Sequence, residues 1–298
     1  MIRNKSLVQA VELWFPQGEV MAFGAGAYRG YDDLRHERER LSFHQGEGLP
    51  GTVWEKGKAL LFQTAGGQFL SAERAAEVGI DVAVGCPLFD GGRLFAVLTL
   101  LLSHRSEAAS CLEIWDVADE LDVLKHAEGY YVHCADLERF SPWIQFPRGT
   151  GLPGLSWLSG DAQVMADVRK SNAFIRAGLA ARAGLKPGVA LPIYRERRVA
   201  QVLALIGAEH HSFIAGVETY HPQGRELGAA TLFDWSGRGS TTGESFADAA
   251  GRQLAQRALT TRLPALSQAR VGPAFEISLA LPLHDRKGLK QILVLRLA

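Results

Sequence analysis

The stretch Gly48-Leu49-Pro50-Gly51-Thr52-Val53-Trp54 returns about a hundred residues later as Gly151-Leu152-Pro153-Gly154-Leu155-Ser156-Trp157. A repeat of about a hundred residues is too long for a solenoid and fits a complete small domain. The surroundings recur as well. Phe69-Leu70-Ser71-Ala72, followed by Ala75-Ala76 and Gly79, matches Phe174-Ile175-Arg176-Ala177, followed by Ala180-Ala181 and Gly184. Eight residues after each of those glycines a proline sits in an apolar strand, Pro87 and Pro192.

A third, divergent copy fills the remainder. Val11-Glu12-Leu13-Trp14-Phe15-Pro16-Gln17-Gly18 opens the first unit, Leu112-Glu113-Ile114-Trp115 the second and Val217-Glu218-Thr219-Tyr220-His221-Pro222-Gln223-Gly224 the third. Leu281-Pro282-Leu283 corresponds to the two proline strands. Gly251 lies 31 residues before Pro282, as Gly57 and Gly160 lie 30 and 32 residues before Pro87 and Pro192. Ala269-Arg270-Val271-Gly272 echoes Ala181-Arg182-Ala183-Gly184, while Thr242-Gly243-Glu244-Ser245 stands where the GLPG turn is lost. The units run over residues 1–106, 107–210 and 211–298.

Composition narrows the class of protein. With 298 residues, each unit is long enough to bury its own core. The formal net charge is zero, so nothing draws the chain to nucleic acid or to an anionic membrane surface. The charge run Arg35–Arg40 alternates in sign and reads as a solvated loop or helix face. Three cysteines, Cys86, Cys111 and Cys134, are odd in number and lack CxxC spacing, which predicts reduced thiols in a cytoplasm. Met1-Ile2-Arg3-Asn4-Lys5 carries no signal-peptide core. The strongest apolar run, Leu94–Leu102, is half the length of a membrane helix.

Within unit one the pattern predicts a short helix over Ile2–Ala10 and strands over Val11–Phe15 and Val20–Tyr28 joined at Pro16–Glu19. A helix over Leu49–Lys56 is entered through Pro50 and ended by Gly57. Leu60–Phe62 is a short strand. Phe69, Ala72, Ala75 and Ala76 share a helix face that Gly79 ends. Val82–Phe89 and Leu94–Leu102 close as a hairpin. Terminal hairpins with helices between them give an α+β unit on one antiparallel sheet.

GLPGxxW, a glycine three residues on, Phe-x-x-Ala-x-x-Ala-Ala-x-x-Gly and a proline strand before a tight hairpin closely resemble the GAF domain, in the version found in bacterial sensor kinases. The likeness covers units one and two almost entirely, and unit three in its opening strands and second half. It implies a profilin-like architecture, with a central antiparallel sheet, helices mainly on one face enclosing a small-molecule pocket, and frequent dimerisation through terminal helices. This chain departs from that plan. Only Ser103–Cys111 and Gly207–Gly216 separate the units, which is too short for signalling helices. Leu94–Leu102 and much of Val199–Ile206 are apolar at both parities, so these strands should be buried on both faces. The sheet faces left bare are expected to pack on neighbouring units or on a second chain.

The candidate ligand-binding residues follow from the implied pocket. Trp54 and Trp157 on one helix, and Phe69 and Phe174 on the next, should face the sheet, with Cys86 and Leu191 on the strand opposite. Such aromatics are also ordinary core. Asp167 ends a short strand where GAF domains often carry an aspartate, and unit one has Thr64 there; a turn cap is the plainer reading. Arg176 and Lys170 could neutralise an acidic ligand or simply be solvated. The GLPG turns lack the Lys-Ser/Thr of a phosphate loop and set a helix entry instead. His210-His211 has no partner at metal-ligand spacing, so no metal site is read. His133-Cys134 reverses the Cys-His order of bilin-carrying relatives. No catalytic motif such as GxSxG is present and no cofactor is indicated.

These readings predict a non-enzymatic small-molecule-binding or sensory signalling module, acting through a protein partner or as a homo-oligomer. Two alternatives stand beside it. One is a structural protein–protein interaction scaffold with empty pockets. The other is a thiol-dependent reductase of the free methionine sulfoxide type.

Overall fold

The opening strand of each unit alternates two kinds of side chain, and that alternation decides how the molecule is layered. In the computed structural model, which describes residues 6–63, 74, 77–171, 174–196, 198–235, 249–271 and 274–298, Val11 and Leu13 enter a core shared by all three units. Ala10 and Trp14, one residue out of phase, enter a core local to unit one.

Unit one comprises β1 (Val8–Gln17), β2 (Val20–Tyr28), α1 (Asp32–Arg38), β3 (Ser42–His44), α2 (Gly48–Lys56), β4 (Leu60–Gln63), β5 (Val82–Asp90) and β6 (Arg93–Leu102). Unit two comprises β7 (Ser110–Ala118), β8 (Val123–Val132), α3 (Ala135–Phe140), β9 (Gln145–Pro147), α4 (Gly151–Ser159), β10 (Gln163–Met165), α5 (Ala177–Arg182), β11 (Leu185–Arg195) and β12 (Arg198–Ala208). Unit three comprises β13 (Ile214–Gln223), β14 (Glu226–Asp234), α6 (Ala249–Thr261), β15 (Ala265–Val271), β16 (Ala274–Asp285) and β17 (Gly288–Leu297). The antiparallel sheets are ordered β3-β2-β1-β6-β5-β4, β9-β8-β7-β12-β11-β10 and β14-β13-β17-β16-β15. The third therefore repeats the other two without one short edge strand among the described residues.

The GLPG turn has a steric cause. Gly48 and Gly151 take positive φ, +55° and +69°, and a Cβ on Gly51 or Gly154 would overlap the carbonyl of His44 or Pro147. The first glycine turns the chain; the second lets the helix lie against the short strand before it. Gly57 and Gly160 end α2 and α4 in the left-handed conformation, as expected.

Three local expectations are corrected. Val8–Ala10 is strand rather than helix, because Val8 and Ala10 pair with Leu102 and Leu101 of β6. Gly251 is not the counterpart of Gly57 and Gly160, since it lies inside α6. That helix is closed instead by Arg262, at φ +58° with its N–H on the Ala258 carbonyl at 2.9 Å, only 20 residues before Pro282. Ala269–Val271 belongs to β15, whereas Ala181-Arg182 is helical, so that echo is not structural. Most of the expected Phe69–Gly79 helix lies outside the described residues; Arg74, Glu77 and Val78 within it are helical and Gly79 has φ +70°.

The sheet faces that lack outer helices cover one another. Along β6, Ala96, Leu98, Leu100 and Leu102 enter the shared core, and Val97 and Leu101 the local one. Leu203 and Leu205 of β12 and Leu293, Leu295 and Leu297 of β17 do the same from their sheets. At about 1.5–3 kcal/mol per buried Leu, leaving such faces wet is untenable for any one unit. The leucines leave a central cavity of only about 10 Å³.

Glutamines fasten the corners where the sheets meet. Gln201 accepts the Ala59 N–H at 2.7 Å, Gln291 accepts the Ala162 N–H at 2.8 Å, and Gln268 engages both the N–H and the carbonyl of Tyr28, at 3.1 and 2.9 Å. Arg29 donates to the Leu297 carbonyl at 2.8 Å and joins unit one to the last strand. Among the described residues no helix is long and apolar enough to cross a membrane.

Candidate functional site

Each opening strand carries a glutamate at the equivalent position, Glu12, Glu113 and Glu218, exposed 0%, 0% and 1%. The strand alternation turns all three away from the shared core and toward the core local to each unit. A buried carboxylate stays charged only if it is paired and hydrogen-bonded.

In unit two the pairing is elaborate. Arg176, at the N-terminus of α5, grips Glu113 through both carboxylate oxygens, Nη1 to Oε1 at 2.5 Å and Nη2 to Oε2 at 2.6 Å. Ser141 and Tyr131 donate to Oε1 at 2.7 and 2.9 Å, and Trp115 Nε1 to Oε2 at 3.2 Å. The guanidinium lies 5.3–5.4 Å from the rings of Trp115, Phe146 and Phe174. Burial by itself would raise the Glu113 carboxyl; the Arg176 charge and the donated hydrogen bonds overcome that and hold it down at about 2.

Unit one reaches the same arrangement from a different part of the chain. In the repeat Ser71 stands where unit two has Arg176. The cation comes instead from Arg38 of α1, which donates to Glu12 from Nε at 2.9 Å and Nη2 at 3.2 Å. Tyr28, Trp14 and Thr99 complete the carboxylate at 2.6, 3.0 and 3.0 Å. Trp14 and Phe43 flank the guanidinium at 5.1 and 5.8 Å. Arg38 is thus fully buried, contrary to the solvated face expected for its charge run. In unit three Tyr220 donates to Glu218 at 2.6 Å, and α6 crosses so closely that a Cβ on Gly251 would overlap the carboxylate. That close crossing is why Gly251 is a glycine.

The predicted ligand residues divide between two faces. Trp157, Phe174 and Arg176 come together in the core around Glu113. Trp54 packs, half-buried, against the corresponding core of unit one. Cys86 and Leu191 do not join them: both point the other way, into the core shared by the three sheets, because their parity on β5 and β11 is that of the inner face. Asp167 lies outside the cage, bound by Arg169 at 2.8 Å, which also grips Glu209. The hydrogen bonds from Arg169 hold the Asp167 carboxyl below its ordinary value. Lys170, His210 and His211 are exposed. Phe69 lies outside the described residues. No cluster of three metal-ligating side chains occurs among the described residues.

The thiols Cys86, Cys111 and Cys134 are free and buried. Burial pushes Cys86 up to about 12 and Cys134 up to about 11, and raises Cys111 well above the ordinary thiol value. At neutral pH all three are protonated and poor nucleophiles.

Sequence reasoning missed the three glutamates and Arg38. The available signal was a glutamate recurring at the equivalent position of the three opening strands.

No protein-family model matches this chain, and no curated protein does. Among solved structures it is similar to a free methionine-R-sulfoxide reductase from Neisseria meningitidis in complex with its substrate, at 21% identity and TM-score 0.26 over 32% of this chain and 50% of that one. It is also similar to the GAF domain of a phosphoenolpyruvate-protein phosphotransferase from Coxiella burnetii, at 16% identity and TM-score 0.30 over 36% and 60%. A nitrate-site mutant of NreA from Staphylococcus aureus matches at 15% identity and TM-score 0.29 over 36% and 77%. The chain spans about half the length of the reductases it matches. GAF domain structures are therefore among those this chain resembles, over about a third of its length at a time.

Proposed function

We propose that this chain is a non-catalytic interaction scaffold, made of three GAF-like units whose pocket faces are filled by their own side chains. The observation that carries this reading is Arg176. Its guanidinium occupies the space between Trp115, Phe146, Phe174 and the sheet, where a sensor would hold its ligand, and Glu113 accepts from both of its terminal nitrogens. Displacing it would strand two buried charges, a cost of several kcal/mol that a small ligand would have to exceed before showing any affinity. The repetition of the device in unit one, with an arginine from elsewhere in the sequence, supports filling as a design requirement rather than an accident of one unit. The protonated, enclosed thiols speak for a scaffold over a thiol-dependent reductase and fit a reducing cytoplasm.

Native mass spectrometry of gently purified protein tests the proposal. The scaffold should fly at the mass of its polypeptide. A stoichiometric small mass that survives in wild type and disappears on Phe174→Ala would establish a ligand sensor instead.

A further inference from the structure

The three corners where sheet edges meet are built from equivalent positions, and one of them is incomplete. Strand register places Ala27, Tyr130 and Phe233 at the same point, opposite Val11, Leu112 and Val217. It likewise equates Leu61, Val164 and Leu266 on the facing edge strands, opposite Val84, Val189 and Leu279. Between units one and two, Tyr130 packs on the shared core and Glu128, two residues before it on β8, accepts the outward N–H of Leu61 at 2.6 Å. Between units two and three, Phe233 packs on that core, stacked on Trp235 at 5.6 Å. Between units three and one, the counterparts of Glu128 and Tyr130 are Ala25 and Ala27.

The missing side chains leave a groove of about 670 Å³ with Ala25 and Ala27 on one side and Leu266 on the other. Among the described residues its floor is unpaired strand edge. β3 pairs β2 only over Val20–Ala22, and β15 ends its sheet. The peptide N–H and carbonyl of Tyr28 point outward, where the Gln268 side chain bonds both as a neighbouring strand would; Gly26, two residues back, turns its own peptide groups the same way. On the rim Arg35 is paired with Glu39 at 2.9 Å, whereas Arg257 of α6 makes no ion pair among the described residues.

We infer that this groove is the docking site for an extended peptide of a partner protein, added along β2, that presents a carboxylate and an aromatic ring two residues apart. The inference rests on the scaffold reading and names the partner that reading requires. The carboxylate replaces Glu128 at the outward N–H of Leu266 and answers the uncompensated Arg257. The ring replaces Tyr130 over Leu266. Gly24-Ala25-Gly26-Ala27 lets a second backbone approach without side-chain interference.

The test is selection from a phage-displayed library of random dodecapeptides on the wild-type protein. It is counter-selected on the double variant Ala25→Glu/Ala27→Tyr, which rebuilds the closed corner in cis. Retained or raised thermal stability of the double variant shows that it folds; Arg257→Glu, at an exposed site, is the second variant. Enriched peptides should carry Asp or Glu two residues from Phe, Tyr or Trp. They should lose at least tenfold in affinity on the double variant and on Arg257→Glu. No enrichment, equal binding to wild type and variants, or groove-dependent retention of a small molecule in place of peptides would overturn the assignment. A ligand lodged in the Glu113 cage would sink the scaffold reading alone and leave this result standing.

Discussion

Replacing Arg176 with alanine should convert the filled cage of unit two into a receptor for the group it has lost. The variant leaves Glu113 buried with only neutral donors, from Ser141, Tyr131 and Trp115. Removing one member of a buried ion pair costs about 3–5 kcal/mol, and the three remaining donors place this case near the lower end. With an unfolding entropy of about 2.1 cal/mol/K per residue over the whole chain, that is a fall in Tm of roughly 5–8 °C. Ethylguanidinium matches the deleted atoms. At ten times its dissociation constant it should restore about 1.4 kcal/mol, or about 2 °C. Ethylammonium, which lacks the planar fork, should restore less. Differential scanning fluorimetry at millimolar additive reads both effects. A variant as stable as wild type, or one indifferent to ethylguanidinium, would refute the view that this arginine occupies a ligand space.

Other consequences can be checked independently. Because the Glu113 carboxyl is held below its ordinary value in the folded state, its stabilisation is present above about pH 4.5 and lost as pH falls toward 2; Arg176→Met/Glu113→Leu should flatten acid unfolding over that window. His284 is buried against Phe95, with Asp90 at 3.9 Å. Burial lowers its pKa, assisted by Arg262 and opposed by Asp90, the Pro282 backbone and Asp285. The unfolded chain therefore takes up the proton first, and stability should fall as pH drops below about 6.5. His284→Phe, which copies Phe89 of unit one, should remove part of that slope in urea titrations between pH 5 and 7.5. Gln201→Leu strands the buried Ala59 N–H and should cost about 1–3 kcal/mol while leaving a single unfolding transition. The three thiols should resist Ellman's reagent at pH 7 in the folded protein and react together on unfolding; a rapidly titrating thiol in native protein would reopen the reductase reading.

The repeat was legible because its punctuation is steric. Gly48, Gly51 and Gly57 recur as Gly151, Gly154 and Gly160 for reasons of φ and close approach that no other residue satisfies. The double-sided burial of Leu94–Leu102 was legible too, since Thr99 is the one polar residue at either parity. What could not be read was the direction of individual side chains. Cys86 and Leu191 sit in strands apolar on both faces, so periodicity carried no information about which face met the helices. Arg38 lay in a run of alternating charge whose solvation looked sufficient, and only the Glu12 carboxylate across the sheet explains its burial. Unit three misled through Gly251, whose spacing matched a helix cap but whose role is to let α6 pass over Glu218.

Scanning calorimetry of the intact chain is the sharpest single check on a molecule whose three sheets share one interior. If they stand or fall together, one transition should appear near 60 °C or above, with calorimetric and van't Hoff enthalpies both about 200 kcal/mol. Three resolvable steps, or a van't Hoff enthalpy of about 70 kcal/mol, would mean that each unit folds by itself and the common core does not exist.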